Sequence, residues 1–498
     1  MIENIFIALE TIIQIETFLL IVAGTILGII VGAIPGIGPD IGIAIAIPIS
    51  FGYPPMQALP LLISIYSGAM FGGSIASILI NTPGTGSAAA STLDGYPLAK
   101  KGEAITALSI SATSSTFGGI FSSILIISFV PYLHKFVLLF GTPEYCLLGF
   151  LGIVLISVVA SKAFLKGLIV GSFCLMLTSI GMAPMGAEIR YTFGNLALFD
   201  GIGFIPAIIG LFSVAEMLKL AGKKGKSISG NLEIKGSRLK GIVAPFLHFS
   251  TLIKSTIIGL LVGAVPGTGG TTASFIAYSE AMRSSKNPHS FGKGNYEGLI
   301  STESSNNAVV GGALLPTLLF GIPGSGGMAV LLGGLLLHGL RPGFRMFEGE
   351  GVLITYVLIL TNLIASILIF IIGNSISPFL GKITTLHKNF LIPLVLFLSV
   401  LSIYILEHNF FDIVLVAFFG FLGYFLAKYD FPIIPAILGL ILGTMIETNL
   451  NRSIQLGGGS LFIFFKRPLS LLLISMIFFI LLAPIILSKI KRVSSPKG

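Results

Sequence analysis

The chain runs to 498 residues, 54% of them hydrophobic and only 10% charged, with a mean hydropathy of +1.00. A soluble domain carries about 25% charged residues, so a water-soluble fold is excluded. The formal net charge of +9, from 29 Lys and Arg against 20 Asp and Glu, fits the cytoplasmic loops of a membrane protein, and without interleaved aromatics it indicates no nucleic-acid partner.

A helix needs roughly 20 apolar residues to cross about 30 Å of hydrocarbon, and this chain has room for about ten or more such segments. The alternating strands of an outer-membrane barrel are not visible, so the expected fold class is an all-α polytopic membrane protein. In chain order, segments able to cross, or to enter and return, are expected near 17–34, 41–50, 56–80, 104–130, 137–160, 163–182 and 201–221. Others are expected near 250–265, 296–320, 326–340, 351–373, 389–406, 410–427, 432–446 and 468–488. The start, Met1-Ile2-Glu3-Asn4, has no basic stretch and no small-residue cleavage site follows it, so no removable leader is expected. Cys146 and Cys174 lie inside apolar stretches and read as packing residues rather than a disulfide or metal site. Gly makes up 62 residues, above the average of about 7%, and with internal prolines it predicts broken or re-entrant helices.

The chain repeats itself. Gly28-Ile-Ile-Val-Gly32-Ala33-Ile34-Pro35-Gly36-Ile37-Gly38 recurs as Gly259-Leu-Leu-Val-Gly263-Ala264-Val265-Pro266-Gly267-Thr268-Gly269, at a constant offset of 231. Ala69-Met70-Phe71-Gly72-Gly73 is answered by Ala308-Val309-Val310-Gly311-Gly312, at an offset of 239. Asn81-Thr82-Pro83-Gly84-Thr85-Gly86 is answered by Gly321-Ile322-Pro323-Gly324-Ser325-Gly326 at 240, which places a short insertion in the polar stretch Arg283–Lys293. Matching Gly/Pro interruptions in two halves are the sequence pointer to a secondary transporter with its site between the halves near the midplane.

The flanks bear on orientation. Glu3, Glu10 and Glu16 precede the first repeat, whereas Lys219, Lys223, Lys224, Lys226, Lys235, Arg238 and Lys240 precede the second. The positive-inside rule puts the second flank in the cytoplasm; with the first flank outside, the two repeats are inverted. Lys489, Lys491, Arg492 and Lys497 place the C-terminus inside as well. The expected division is a first transmembrane repeat over 1–221, a basic cytoplasmic linker over 222–249, a second repeat over 250–446, and a C-terminal transmembrane helix with a basic tail over 447–498.

Pro35-Gly36-Ile37-Gly38-Pro39 cannot continue a regular helix, because Pro lacks a donor and clashes with the preceding turn and Gly leaves the backbone exposed. In a bilayer the freed groups are tolerated only where protein, water or a ligand satisfies them. The paired breaks therefore make Pro35, Gly36 and Gly38, with Pro266, Gly267, Thr268 and Gly269, candidate substrate-binding residues. Two oxygen-rich turns add Asn81, Thr82, Gly84 and Thr85, and Pro323, Gly324 and Ser325; Asn306 and Asn307 extend the polar lining. Carbonyls and hydroxyls suit a hard cation such as Na⁺, and helix N-termini with free amides attract a carboxylate. Thr82, Ser87, Thr271 and Thr272 are the candidate oxygen ligands of a coupling ion, and Asp94 and Glu303 the carboxylates able to carry a proton. Each has a plainer reading, an interhelical hydrogen bond or an interfacial ion pair of Asp94 with nearby Lys100 or Lys101. His338, beside the second repeat motif, reads as packing or capping. The nearest basic residues, Lys254, Arg283 and Arg341, sit toward segment ends, where they snorkel to water, so backbone amides and hydroxyls at the breaks are expected to bind the anion.

Gly32-Ala33-Ile34-Pro35-Gly36-Ile37-Gly38-Pro39, Tyr66-Ser67-Gly68-Ala69-Met70-Phe71-Gly72-Gly73-Ser74, Asn81-Thr82-Pro83-Gly84-Thr85 and Leu93-Asp94-Gly95-Tyr96-Pro97-Leu98-Ala99 together resemble the first half of the TctA-like large subunit of tripartite tricarboxylate transporters. Pro266-Gly267-Thr268-Gly269, Glu303-Ser-Ser-Asn306-Asn307-Ala308, Gly321-Ile322-Pro323-Gly324-Ser325 and Leu337-His338-Gly339-Leu340-Arg341-Pro342-Gly343 resemble its second half, in order over most of the chain. One departure is Ala183-Pro184 ahead of Arg190-Tyr191-Thr192-Phe193-Gly194, where the family often has an acid before the Pro. The resemblance implies a permease of the bacterial inner membrane, driven by an ion gradient, Na⁺ or H⁺, with no other cofactor. It also implies a small four-helix membrane subunit, a periplasmic solute-binding protein that delivers a di- or tricarboxylate such as citrate or a related organic anion, and by analogy with similar transporters a homodimer. The rival classes are an intramembrane enzyme, for which no Ser–His or paired-Asp arrangement appears in the apolar segments, and a channel-forming subunit, which explains the duplicated breaks less simply.

Overall fold

A computed structural model describes residues 2–159, 164–185, 188–222, 235–380, 388–407 and 409–494. Lys223, Lys224, Lys226 and Lys497, and with them much of the expected linker, lie outside the described residues. The described chain is helical apart from a short antiparallel pairing of Gly181–Met182 with Ile189–Arg190. By length and composition seven helices are able to cross a membrane, eight if Arg238–Leu247 and Phe249–Gly263, bent by 77°, count as one broken span. Several of the expected segments are shorter helices, among them Pro39–Ser50 and Gly326–Leu337.

Each repeat begins with a helical hairpin. In the first, Ile15–Ala33 ends at the Pro35-Gly36 break and Pro39–Ser50 starts with Pro in its first turn, where the missing donor costs nothing. Gln57 Nε2, at the start of the following long helix Pro55–Ile80, donates to Glu16 Oε2 at 3.1 Å. The few residues between Ser50 and Pro55 leave the half-helix no room to end anywhere but beside the start of the first arm. The second hairpin, Phe249–Gly263 and Gly269–Ser284, closes the same way: Glu297 accepts from Thr251 at 3.0 Å and from Ser285 at 3.2 Å, joining both arms to the start of the second long helix, Tyr296–Phe320.

The repeated glycines make these hairpins possible. A Cβ on Gly28 or Gly32 would fall on the carbonyls of Ile65 or Ala69, and one on Gly72 would fall on that of Ile29. Gly259, Gly263 and Gly312 do the same between the second hairpin and the second long helix. Small residues let backbones approach within the bilayer, where lipid tails supply no hydrophobic drive between helices.

The repeats interlock. The helix Ala104–Val137, from the first repeat, packs along the second long helix, and Glu350–Leu380, from the second, packs along the first. The second long helix carries a continuous polar run, 301–307, that is at most 1% exposed. That run keeps it out of the set of apolar spans, and its neighbours shield it from lipid. The short helix Thr92–Leu98 packs back on the end of the first long helix, Gly95 against Ile78, and there meets the start of the second: Asp94 accepts from the Gly294 and Asn295 N–H groups at 2.8 and 2.7 Å, and Lys101 Nζ donates to the Lys293 carbonyl at 2.6 Å. The mouths of the two hairpins therefore lie at opposite ends of the first long helix.

Candidate functional site

The hairpin tips are built from residues that only a break accommodates. Gly36 and Gly267 have φ of +84° and +79°, a left-handed backbone that costs a side-chain-bearing residue more than glycine. Each long helix ends on a left-handed residue, Asn81 with φ 54° and Gly321 with φ 68°, after which the chain doubles back toward a tip. There Gly84 N–H donates to the Gly73 carbonyl and Gly269 N–H to that of Gly324, both at 3.1 Å. Thr85 Oγ1 accepts from Ala88 N–H at 3.3 Å and Ser325 Oγ from Met328 N–H at 3.2 Å, so these matching hydroxyls cap the short helices after the turns.

Each tip also touches the other repeat. Gly270 sits against Ser87, Met70 and Asn306, leaving no space for a Cβ, and Gly327 sits against Tyr66 and Pro39. Tyr66 and Ser325 share a 2.7 Å hydrogen bond, and Ser87 bonds Thr85 at 3.0 Å. Of the sequence-derived residues, Thr85, Ser87, Asn306 and Ser325 are thus brought to one crossing region between the long helices.

Asn306 Nδ2 donates to the Met70 carbonyl at 2.9 Å and Asn307 Nδ2 to that of Ser67 at 3.4 Å. Both amides tie the long helices together and have their Oδ1 atoms buried without a hydrogen bond. Glu303 is fully buried between the repeats: Ser91 donates to Oε1, and Ser111 and Ser115 donate to Oε2 at 2.7 and 3.2 Å. Among the described residues no basic side chain pairs with it.

Below the first tip lies a cavity of about 420 Å³, within the range of small-molecule sites. Gly36 and Gly38 of the break and Gly84, Thr85 and Gly86 of the turn line it. So do three charged residues that sequence reasoning did not place there, Asp40, Glu216 and Lys219. Lys219 Nζ is ion-paired with Glu216, and their side chains are 33% and 23% exposed. The missed signal was an acid and a base three residues apart near the end of an apolar helix, Phe204–Gly222, and an acid directly after a helix break. On the sequence alone the Lys bears only on orientation.

Other candidates sit elsewhere. Asp94 takes a third hydrogen bond, from Tyr278 Oη at 2.9 Å, so its carboxylate is occupied in holding the loop before the second long helix and does not pair with Lys100 or Lys101. Thr268 Oγ1 donates to the Val262 and Val265 carbonyls, and Thr82 Oγ1 to that of Ile80. Thr272 lines a separate surface hollow with Glu280 and Arg283, whereas Thr271 lies close to Gly86. His338 bonds Ser50 at 3.1 Å and stacks on Phe51, a packing role at the first hairpin's mouth. Arg190 pairs with Glu447 at 2.7 Å.

Compared with known proteins, residues 18–438 match the model of the tripartite tricarboxylate transporter TctA family. Over 429 residues the chain is 32% identical to an uncharacterized 52.8 kDa protein in the TAR-I ttuC' 3' region of Agrobacterium vitis, covering 85% of this chain and 84% of that relative. A protein in the TAR-II ttuC' 3' region of the same organism is 32% identical over 212 residues, 43% of this chain and 87% of the relative. No solved structure matches.

Proposed function

The chain belongs to the tripartite tricarboxylate transporter TctA family, and from that premise we propose that it is the ion-coupled permease that takes up a di- or tricarboxylate or a related small organic anion. Membership makes it a multi-pass membrane component of a tripartite transporter and not an enzyme. In this reading a small four-helix membrane subunit completes the permease, a periplasmic binding protein delivers the anion, and Na⁺ drives uptake. The observation that carries it is the cavity in which the first helix break, the first oxygen-rich turn and Lys219 face one another. Flexible backbone at the break supplies amides for a carboxylate, and Lys219, released from Glu216, supplies the charge. Reconstituted with its partners, the chain is expected to accumulate carboxylate down an imposed Na⁺ gradient and to saturate. Uptake that ignores Na⁺ and follows a pH gradient would reject Na⁺ coupling, and flux that does not saturate would favour a pore.

The same reading places the chain in a bacterial inner membrane with inverted repeats and a cytoplasmic C-terminus. Hairpin mouths at opposite ends of the first long helix support inversion, as do the acidic first flank and the basic second one. Single cysteines at Glu3 and Arg238, both exposed, are expected to react with impermeant thiol reagent from opposite sides of the membrane. Labelling of both from one side would reject inversion.

A further inference from the structure

Among the described residues, the cavity beneath the first tip is lined by two carboxylates, Asp40 and Glu216, against a single ammonium, Lys219. A substrate with two or three carboxylates entering it meets fixed charge of its own sign. The Lys219 ion pair already neutralises Glu216; Asp40 is left. Its carboxylate leans back over Gly38, close enough that a Cβ there would overlap Oδ1, and it rests on the backbone N–H groups of Asp40 and Ile41 at the start of the half-helix. Among the described residues no side chain forms a hydrogen bond or salt bridge with it. The N–H groups of Asp40 and Ile41 are therefore taken by the chain's own acid, and the main-chain amides left for a substrate anion are those of the break itself, at Gly36 and Gly38. The second tip differs: at the repeat offset, Asp40 corresponds to Thr271, and the first turn of Gly269–Ser284 has no acid.

We propose that Asp40 holds the coupling cation, so that a monovalent cation and the substrate anion neutralise one another in one cavity. Gly84, Thr85 and Gly86 line the same space and offer carbonyl and hydroxyl oxygens, the donors a hard monovalent cation takes. Coupling then needs no long-range relay: without the cation, Asp40 repels the anion, and with it the anion binds beside Lys219. The inference rests on the reading of this cavity as the substrate site. It deepens that reading by naming the residue through which the ion acts.

The test uses the full chain in nanodiscs, with no substrate present. Dicyclohexylcarbodiimide modifies carboxyl groups in apolar surroundings, and Asp40 is expected to be modified, as read by peptide mass spectrometry. Protection of Asp40 by NaCl but not by choline chloride, at fixed pH, identifies Na⁺ as the cation. An Asp40 that is unmodified, or modified to the same extent in both salts, overturns the proposal. In vesicles, Asp40→Asn is expected to take up labelled citrate at a rate independent of the driving gradient, and wild-type gradient dependence in that variant also overturns it. The two readings fail separately. Cation protection together with normal uptake by Lys219→Gln removes the anion from the cavity and leaves the cation site; no protection together with an inactive Lys219→Gln does the reverse.

Discussion

Lys219→Gln is expected to lower carboxylate uptake about tenfold to a hundredfold while the protein inserts and folds normally. Truncating one partner of a buried charge pair costs about 2–5 kcal/mol, but Lys219 is one-third exposed and partly screened, which lowers the expected cost to about 1.4–2.8 kcal/mol at about 1.4 kcal/mol per tenfold. The loss should appear mainly as weaker apparent affinity, because Gln keeps the packing of the stem and removes only the charge. Lys219→Arg should retain part of the activity. Arg341→Gln, at an exposed position away from the cavity lining, should stay within about twofold of wild type. Initial rates of labelled carboxylate uptake in vesicles check all three. Normal rates and affinity in Lys219→Gln would return the anion to main-chain donors alone.

The second large effect separates two kinds of glycine within one motif. Gly28→Ala drives a methyl onto the Ile65 carbonyl of the first long helix, backbone that cannot turn away, and should cost about 1–3 kcal/mol or more of stability. Gly36→Ala meets nothing within 4 Å; its cost is the left-handed backbone, about 1 kcal/mol, and a methyl added at the cavity lining. Thermal unfolding in detergent should therefore drop sharply for Gly28→Ala and little for Gly36→Ala, while uptake is strongly reduced in Gly36→Ala despite normal folding. Gly267→Ala, at the equivalent tip, is not a clean functional probe, because its Cβ would press on Ile156 at 2.6 Å. Equal stability in all three variants would contradict the packing described.

Much was legible in the sequence because it depends on local chemistry. Hydropathy set the class, and the repeat Gly28 to Gly38 against Gly259 to Gly269 marked both tips, since Pro and Gly break a helix wherever it lies. Thr85 and Ser325 were found for their hydroxyls, and their first duty is a helix cap, as a residue ahead of a short helix often serves. Asn306 and Asn307 were found as polar residues in an apolar setting, but what they bond, the Met70 and Ser67 carbonyls, depends on which helix face meets which.

By itself, then, the sequence determined that the chain crosses a membrane, that it is built twice, and that both copies are broken at corresponding places. Tertiary structure alone decided that the halves interlock, that Glu303 is closed inside a cradle of hydroxyls, that Asp94 is occupied in holding a loop, and that Asp40, Glu216 and Lys219 share the cavity with Gly36 and Gly84. Periodicity and hydropathy report on a residue's own element. Which charges face one another is fixed by packing between helices far apart in the chain, and a Lys near a helix end reads the same whether it lies in the headgroups or turns into a cavity.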